Sequence, residues 1–182
     1  AVLFGMSELM LIVFVIVVQI TNVVGAFLFG FLVDRIGGKR SLVISLLMMI
    51  AVVFGLFFIR TMEGYFVIGA VAGVAMAGAQ SVSRTMVSIF APPGQSAEFY
   101  GFFALVGRTS SFLGPLVFGV IAAEAALWFQ AQGQAATLAE QTGLRWAILS
   151  IALFIIAGLA ILALVDEGKA REAALAEGDA AS

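Results

Sequence analysis

The sequence predicts an all-α integral membrane protein with five transmembrane helices, on three observations. Of 182 residues, 63% are hydrophobic and only 11% are charged. The mean hydropathy is +1.15. The apolar residues fall into five stretches, each long enough to cross roughly 30 Å of hydrocarbon at about 1.5 Å per residue. A small soluble domain has too little interior to hide so much apolar surface. Within lipid every backbone N–H and C=O must be satisfied inside the span, so helices are expected and open strands are not.

The first span is placed over residues 8–33, with Ser7 as its N-cap. The second covers 41–59. The third covers 65–91 and ends at Pro92-Pro93-Gly94, which cannot continue a helix. The fourth covers 97–124 and the fifth 144–165. The bundle thus occupies residues 1–165. The alanine-rich, charged segment 166–182 reads as a tail, either a frayed helix end or disordered.

Charge in the loops orients the spans. The turn after the first span carries Arg35, Lys39 and Arg40, and the tail carries Lys169 and Arg171; five spans place both on one side. The opposite loops carry only Arg60 and Arg145. Cytoplasmic loops collect Lys and Arg, so the turn and the C-terminus are expected in the cytoplasm. Trp128 and Trp146 fall at the other ends, where indole rings favour the interface.

Composition also excludes functions. The chain has no cysteine and no histidine, which removes disulfides, thiolate sites and imidazole bases. A net charge of −2 gives no reason to expect nucleic acid. No cofactor or metal is expected. No basic segment precedes the first apolar run, so that run is not a signal peptide. The chain opens at Ala1 and reads as a fragment of a longer protein.

The sharpest local pattern runs from Gly30 through Asp34-Arg35-Ile36-Gly37-Gly38-Lys39-Arg40. Gly37 and Gly38 allow a tight reversal with positive φ. Asp34 can stabilise a neighbouring helix N-terminus through its dipole, and Arg35 can pair with an acid. These positions resemble the loop of the major facilitator superfamily, G-x-x-x-D-R-x-G-x-[KR]-[KR], matched at Gly30, Asp34, Arg35, Gly37, Lys39 and Arg40. The resemblance implies a gating loop, whose charges latch two halves of a transporter and are remade as it switches state. The plainer reading is a basic anchor with a glycine turn.

The third span carries Gly69, Gly73, Ala77, Gln80 and Arg84 on one face, and Ser83 lies beside it. Gly69-x-x-x-Gly73 is a close-packing pattern. The fourth span places Gly101, Ala104, Arg108, Ser111, Pro115, Gly119 and Ala122 on one face, with Gly114 adjoining. Phe99, Phe103, Val106, Leu113 and Ile121 lie opposite. An intramembrane arginine costs roughly 2.5–3.5 kcal/mol on insertion scales and normally faces a partner or a water-filled path. No acid lies at matching depth, so the partner is a further helix, an anionic group of a solute, or water. Snorkelling to the headgroups is the alternative, evenly balanced for Arg84 and weaker for Arg108. Gln19 and Asn22 on the first span read as interhelical glue. Gly25–Gly30 echoes Gly114–Gly119 three helices on, the spacing of an inverted repeat.

Gln80-Ser81-Val82-Ser83-Arg84, Ser96-Ala97-Glu98-Phe99-Tyr100-Gly101-Phe102 and Gly114-Pro115-Leu116 together resemble the vacuole-effluxer-like family of that superfamily. The resemblance implies two six-helix halves, of which this chain holds the last five spans, with Ala1–Met6 ending the one before. It implies efflux of a small solute, such as amino acids, and a partnership with the lipid bilayer and the absent N-terminal half. Gln80, Ser83, Arg84 and Arg108 are the candidate pathway residues; Gly69, Gly73, Gly101, Gly114 and Gly119 are candidate helix-packing residues. No phosphate loop for ATP is present. Ser81, Ser83 and Ser110 have no base nearby, so an enzyme is not expected. A non-transporting assembly subunit is the alternative.

Overall fold

The computed structural model describes residues 7–181, with side chains as far as residue 176. The segment Ala1–Met6 lies outside the described residues. Six helices follow one another: α1 (Glu8–Ile36), α2 (Gly38–Phe58), α3 (Met62–Phe90), α4 (Ser96–Ala131), α5 (Ala136–Leu164) and α6 (Glu167–Ala181). The first five are long and apolar enough to cross a membrane.

Local chemistry sets the ends. The Ser7 hydroxyl accepts from the N–H of Met10 at 3.4 Å, and Thr61 does the same for Gly64 at 3.3 Å. Gly37 is the whole connection between α1 and α2. Its φ of +89° suits a residue without a Cβ, and its N–H donates to the Val33 carbonyl at 3.0 Å. Pro92-Pro93-Gly94 stops α3, with Gly94 at φ +87°.

Two helices differ by more than three residues from their expected spans. α4 continues to Ala131 and α5 begins at Ala136, where the apolar windows ended at 124 and began at 144. Hydropathy marks what lipid covers, whereas helices stop at breakers. Residues 125–131 and 136–143 carry Ala, Leu, Glu and Gln, which favour helix, and the one residue with positive φ between α4 and α5 is Gly133. The segment after Val165, read as frayed or disordered, forms the helix α6.

The helices pack in the order α1, α3, α2, α5, α4, not in chain order. α1 and α3 run parallel and close: Phe14 lies over Gly69, Val18 and Thr21 over Gly73, and Phe29 over Gly78. The other pairs are antiparallel. α3 receives a buried hydrogen bond from the hydroxyl of Ser45 on α2 to the Ala75 carbonyl, at 2.7 Å. Such a bond contributes about 1 kcal/mol or less in a membrane protein. Phe29, Val82, Met86 and Leu162 form the buried core, near the end that carries Gly37. α4 packs chiefly on α5, where Ala122 and Ala126 lie over Gly143, and its residues 101–116 are exposed.

Candidate functional site

Two places on this frame bring polar groups together. The first is the α1–α2 turn. Asp34, Arg35 and Arg40 are exposed, and the Arg35 guanidinium sits 4.5 Å from the centre of the Phe31 ring. Of the two turn glycines only Gly37 takes positive φ. Gly38 is needed for a different reason: a Cβ there would lie 2.9 Å from Met86 Cγ and 3.2 Å from Glu167 Oε1. The carboxylate at the N-terminus of α2 is therefore that of Glu167, not Asp34. Its two oxygens accept from the N–H groups of Gly38 and Lys39, each at 3.0 Å. The Lys39 ammonium donates to the carbonyls of Ala163, at 3.1 Å, and Val165.

The second place is a groove on α1 and α3. Asn22, Ala26, Ala77, Gln80, Ser81, Arg84 and Thr85 line about 390 Å³. Gln80 and Arg84 are exposed along it, and neither Arg84 nor Arg108 makes an ion pair among the described residues. The hydroxyl of Tyr100 on α4 donates to the Arg84 carbonyl, tying the base of α4 to α3 at 3.0 Å. Ser83 turns away from the groove, and its hydroxyl is spent on the Ala79 carbonyl. Arg108 stands on the exposed face of α4 and lines no part of this groove. A larger crevice of about 700 Å³ lies between α4 and α5. Its walls, from Leu113 and Phe118 to Ile151 and Phe154, are apolar apart from two serines, so it suits lipid tails better than a polar solute.

The pairing of a glycine turn of this pattern with a polar intramembrane groove narrows the identity, and comparison with known proteins decides it. The family described as vacuole effluxer Atg22-like matches residues 1–175. The chain belongs to that family. It is similar to the uncharacterized MFS-type transporter YxiO of Bacillus subtilis (strain 168), 26% identical over 163 residues, which cover 90% of this chain and 34% of that protein. It is also similar to autophagy-related protein 22 of Candida glabrata, 27% identical over 127 residues, covering 64% of this chain and 24% of that one. Autophagy-related protein 22-1 of Aspergillus clavatus is 31% identical over 111 residues, covering 61% of this chain and 16% of its own. The chain thus spans about a third of YxiO and a smaller share of the fungal proteins. No solved structure matches it.

In this effluxer-family chain the packing glycines divide into two groups. Gly69 and Gly73 are buried against α1. A Cβ on Gly101, Gly114 or Gly119 would meet nothing within 4 Å, and neither would one on Gly30. Asn22 makes no interhelical hydrogen bond among the described residues; it faces the groove. Three functional-looking groups escaped the sequence reading. Ser45 and Glu167 act across 30 and 129 positions, so no local spacing marks them. Arg145, read only as a loop charge, lies in α5 and donates to the Phe57 carbonyl at the end of α2, at 3.3 Å.

Proposed function

We propose that this chain is the C-terminal membrane part of a secondary transporter that exports a small solute, such as an amino acid, by alternating access. The observation that carries the reading is the groove of Asn22, Gln80, Ser81, Arg84 and Thr85, polar groups gathered on apolar helices and facing away from the bundle. Polar and charged groups at membrane depth are costly, and they mark a solute or ion path far more often than they decorate a lipid face. Arg84 is the one cation of the groove and would hold an anionic group of the solute. Arg108 would face the same path from α4 once the remainder of the protein encloses it. The exposed Asp34, Arg35 and Arg40 would meet the N-terminal half at the gate. In a bacterial cell the spans would lie in the inner membrane, with the glycine turn and C-terminus cytoplasmic.

The test is solute movement by the full-length protein in liposomes, using an amino-acid mixture with and without an opposing gradient. Saturable exchange is expected. A folded full-length protein that moves no solute overturns the reading and favours an assembly subunit.

A further inference from the structure

The contacts that hold the α1–α2 turn form a clasp between the tail and the turn. Glu167 opens α6, yet its carboxylate spans the first two N–H groups of α2, at 3.0 Å each. Helix geometry leaves those donors without an intrahelical acceptor, and a carboxylate also answers the positive end of the helix dipole. The return contact runs from Lys39, in the first turn of α2, to the carbonyls of Ala163 and Val165 where α5 ends. An acid from beyond α5 thus caps the start of α2, and a base from the start of α2 caps the end of α5. The seat is close-fitting: Gly38 is buried between Met86 and Glu167, and the Gly37 Cα faces the same carboxylate. Asp34, by contrast, is exposed and makes no hydrogen bond or ion pair among the described residues, so it is free for other contacts.

We propose that Glu167 is a positioning residue of the signature turn: it fixes the start of α2 and, through the single-residue link Gly37, the angle at which α1 presents Asp34 and Arg35. The tail helix α6 thereby sets the geometry of the gate. α2, α5 and α6 move as one piece at this end, and Asp34 and Arg35 make and break their contacts from a rigid base. The functional half of this inference rests on the transport reading; the clasp itself does not.

The experiment has two arms on the full-length protein. In nanodiscs, hydrogen–deuterium exchange is followed at the Gly38 and Lys39 amides. First-turn amides ordinarily exchange fast, so protection in the wild type is expected, with exchange about five- to tenfold faster in Glu167→Gln. In liposomes, Glu167→Gln should lower turnover and leave the half-saturating solute concentration unchanged, because Glu167 lines no part of the groove. Fast exchange in the wild type overturns the clasp without any variant. Unchanged exchange in Glu167→Gln overturns it too, and faster exchange with unaltered turnover overturns the positioning role. If the wild type moves no solute, the functional half falls with the transport reading, while the exchange arm still decides the clasp.

Discussion

Gly25 and Gly119 sit in glycine hexamers that look alike in sequence and differ in what lies beyond the missing Cβ. A Cβ on Gly25 would come within 2.7 Å of the Val74 Cα and 2.8 Å of its carbonyl oxygen, both backbone atoms of α3 that cannot step aside. Gly25→Val should therefore destabilise the bundle by about 1–3 kcal/mol, read as a lower unfolding midpoint in micelles. An unchanged midpoint would mean that α1 and α3 lie farther apart than here. Asp34 supports the opposite expectation. It is exposed and makes no hydrogen bond or ion pair among the described residues, so Asp34→Asn should leave the midpoint unmoved. If the residue serves the gate, the same variant should slow full-length transport about fivefold or more, the low end of ordinary coupling energies. Normal transport by well-folded Asp34→Asn protein would remove the latch.

At the scale of elements, α2 and α5 are an antiparallel pair with a cation on the last carbonyls of each: Lys39 on α5 and Arg145 on α2. The Phe57 and Trp146 rings, 6.3 Å apart and near perpendicular, close the Arg145 end. A cation at a helix C-terminus contributes about 0.3–1 kcal/mol. Lys39→Met and Arg145→Met should each lower the unfolding midpoint by an amount of that order. The two caps sit at opposite ends of a helix of 21 residues, roughly 30 Å long. Their effects should therefore add to within about 0.5 kcal/mol in the double variant. A large coupling energy would show that the pair shifts as a unit when either end is released. The ion pair of the tail, Lys169 with Asp166 at 3.8 Å, is exposed on both sides and should contribute nothing measurable.

Over the whole molecule, the row α1–α3–α2–α5–α4 leaves α4 exposed from Gly101 to Leu116 and at Gly119, along with the groove of α1 and α3; farther on, Ala122 and Ala126 meet Gly143 of α5. Gly119 is the probe for this. Nothing within 4 Å would meet its Cβ, so Gly119→Leu should leave the stability of the 182-residue chain unchanged within about 0.5 kcal/mol. In the full-length protein, if the remainder packs on this face, the same substitution should cost about 1–3 kcal/mol by overpacking. Equal tolerance in both would show that the face meets lipid. Arg84 belongs to this scale as well, because what its guanidinium meets, a solute group, a further helix, water or the headgroups, lies beyond this bundle. Arg84→Leu should insert normally and reduce full-length transport about tenfold or more, corresponding to one charge-assisted contact. Full activity would sink its role in the path.

The sequence by itself determined that the chain is helical and membrane-spanning, how many spans it has, and where Ser7, Gly37 and Pro92-Pro93 punctuate them. These are local properties: hydropathy over a window, a hydroxyl at a cap, a ring or a missing Cβ at a turn. The same locality made the turn pattern from Gly30 to Arg40 and the polar face of Gln80 and Arg84 legible as candidates. Helix ends beyond the apolar window were less legible, because propensity and not hydropathy carries α4 to Ala131 and starts α5 at Ala136. Only the tertiary structure decided which faces meet. It separated the buried Gly69 and Gly73 from the open Gly101, Gly114 and Gly119, although all five read as helix-packing residues in the sequence. It gave the cap of α2 to Glu167 instead of the nearby Asp34, and the buried interhelical bond to Ser45 instead of Asn22. The reason is physical: small-residue spacing states that a close approach is permitted, and a polar side chain states that a partner is needed. Which partner arrives depends on contacts between helices far apart in the chain, and no local pattern encodes those.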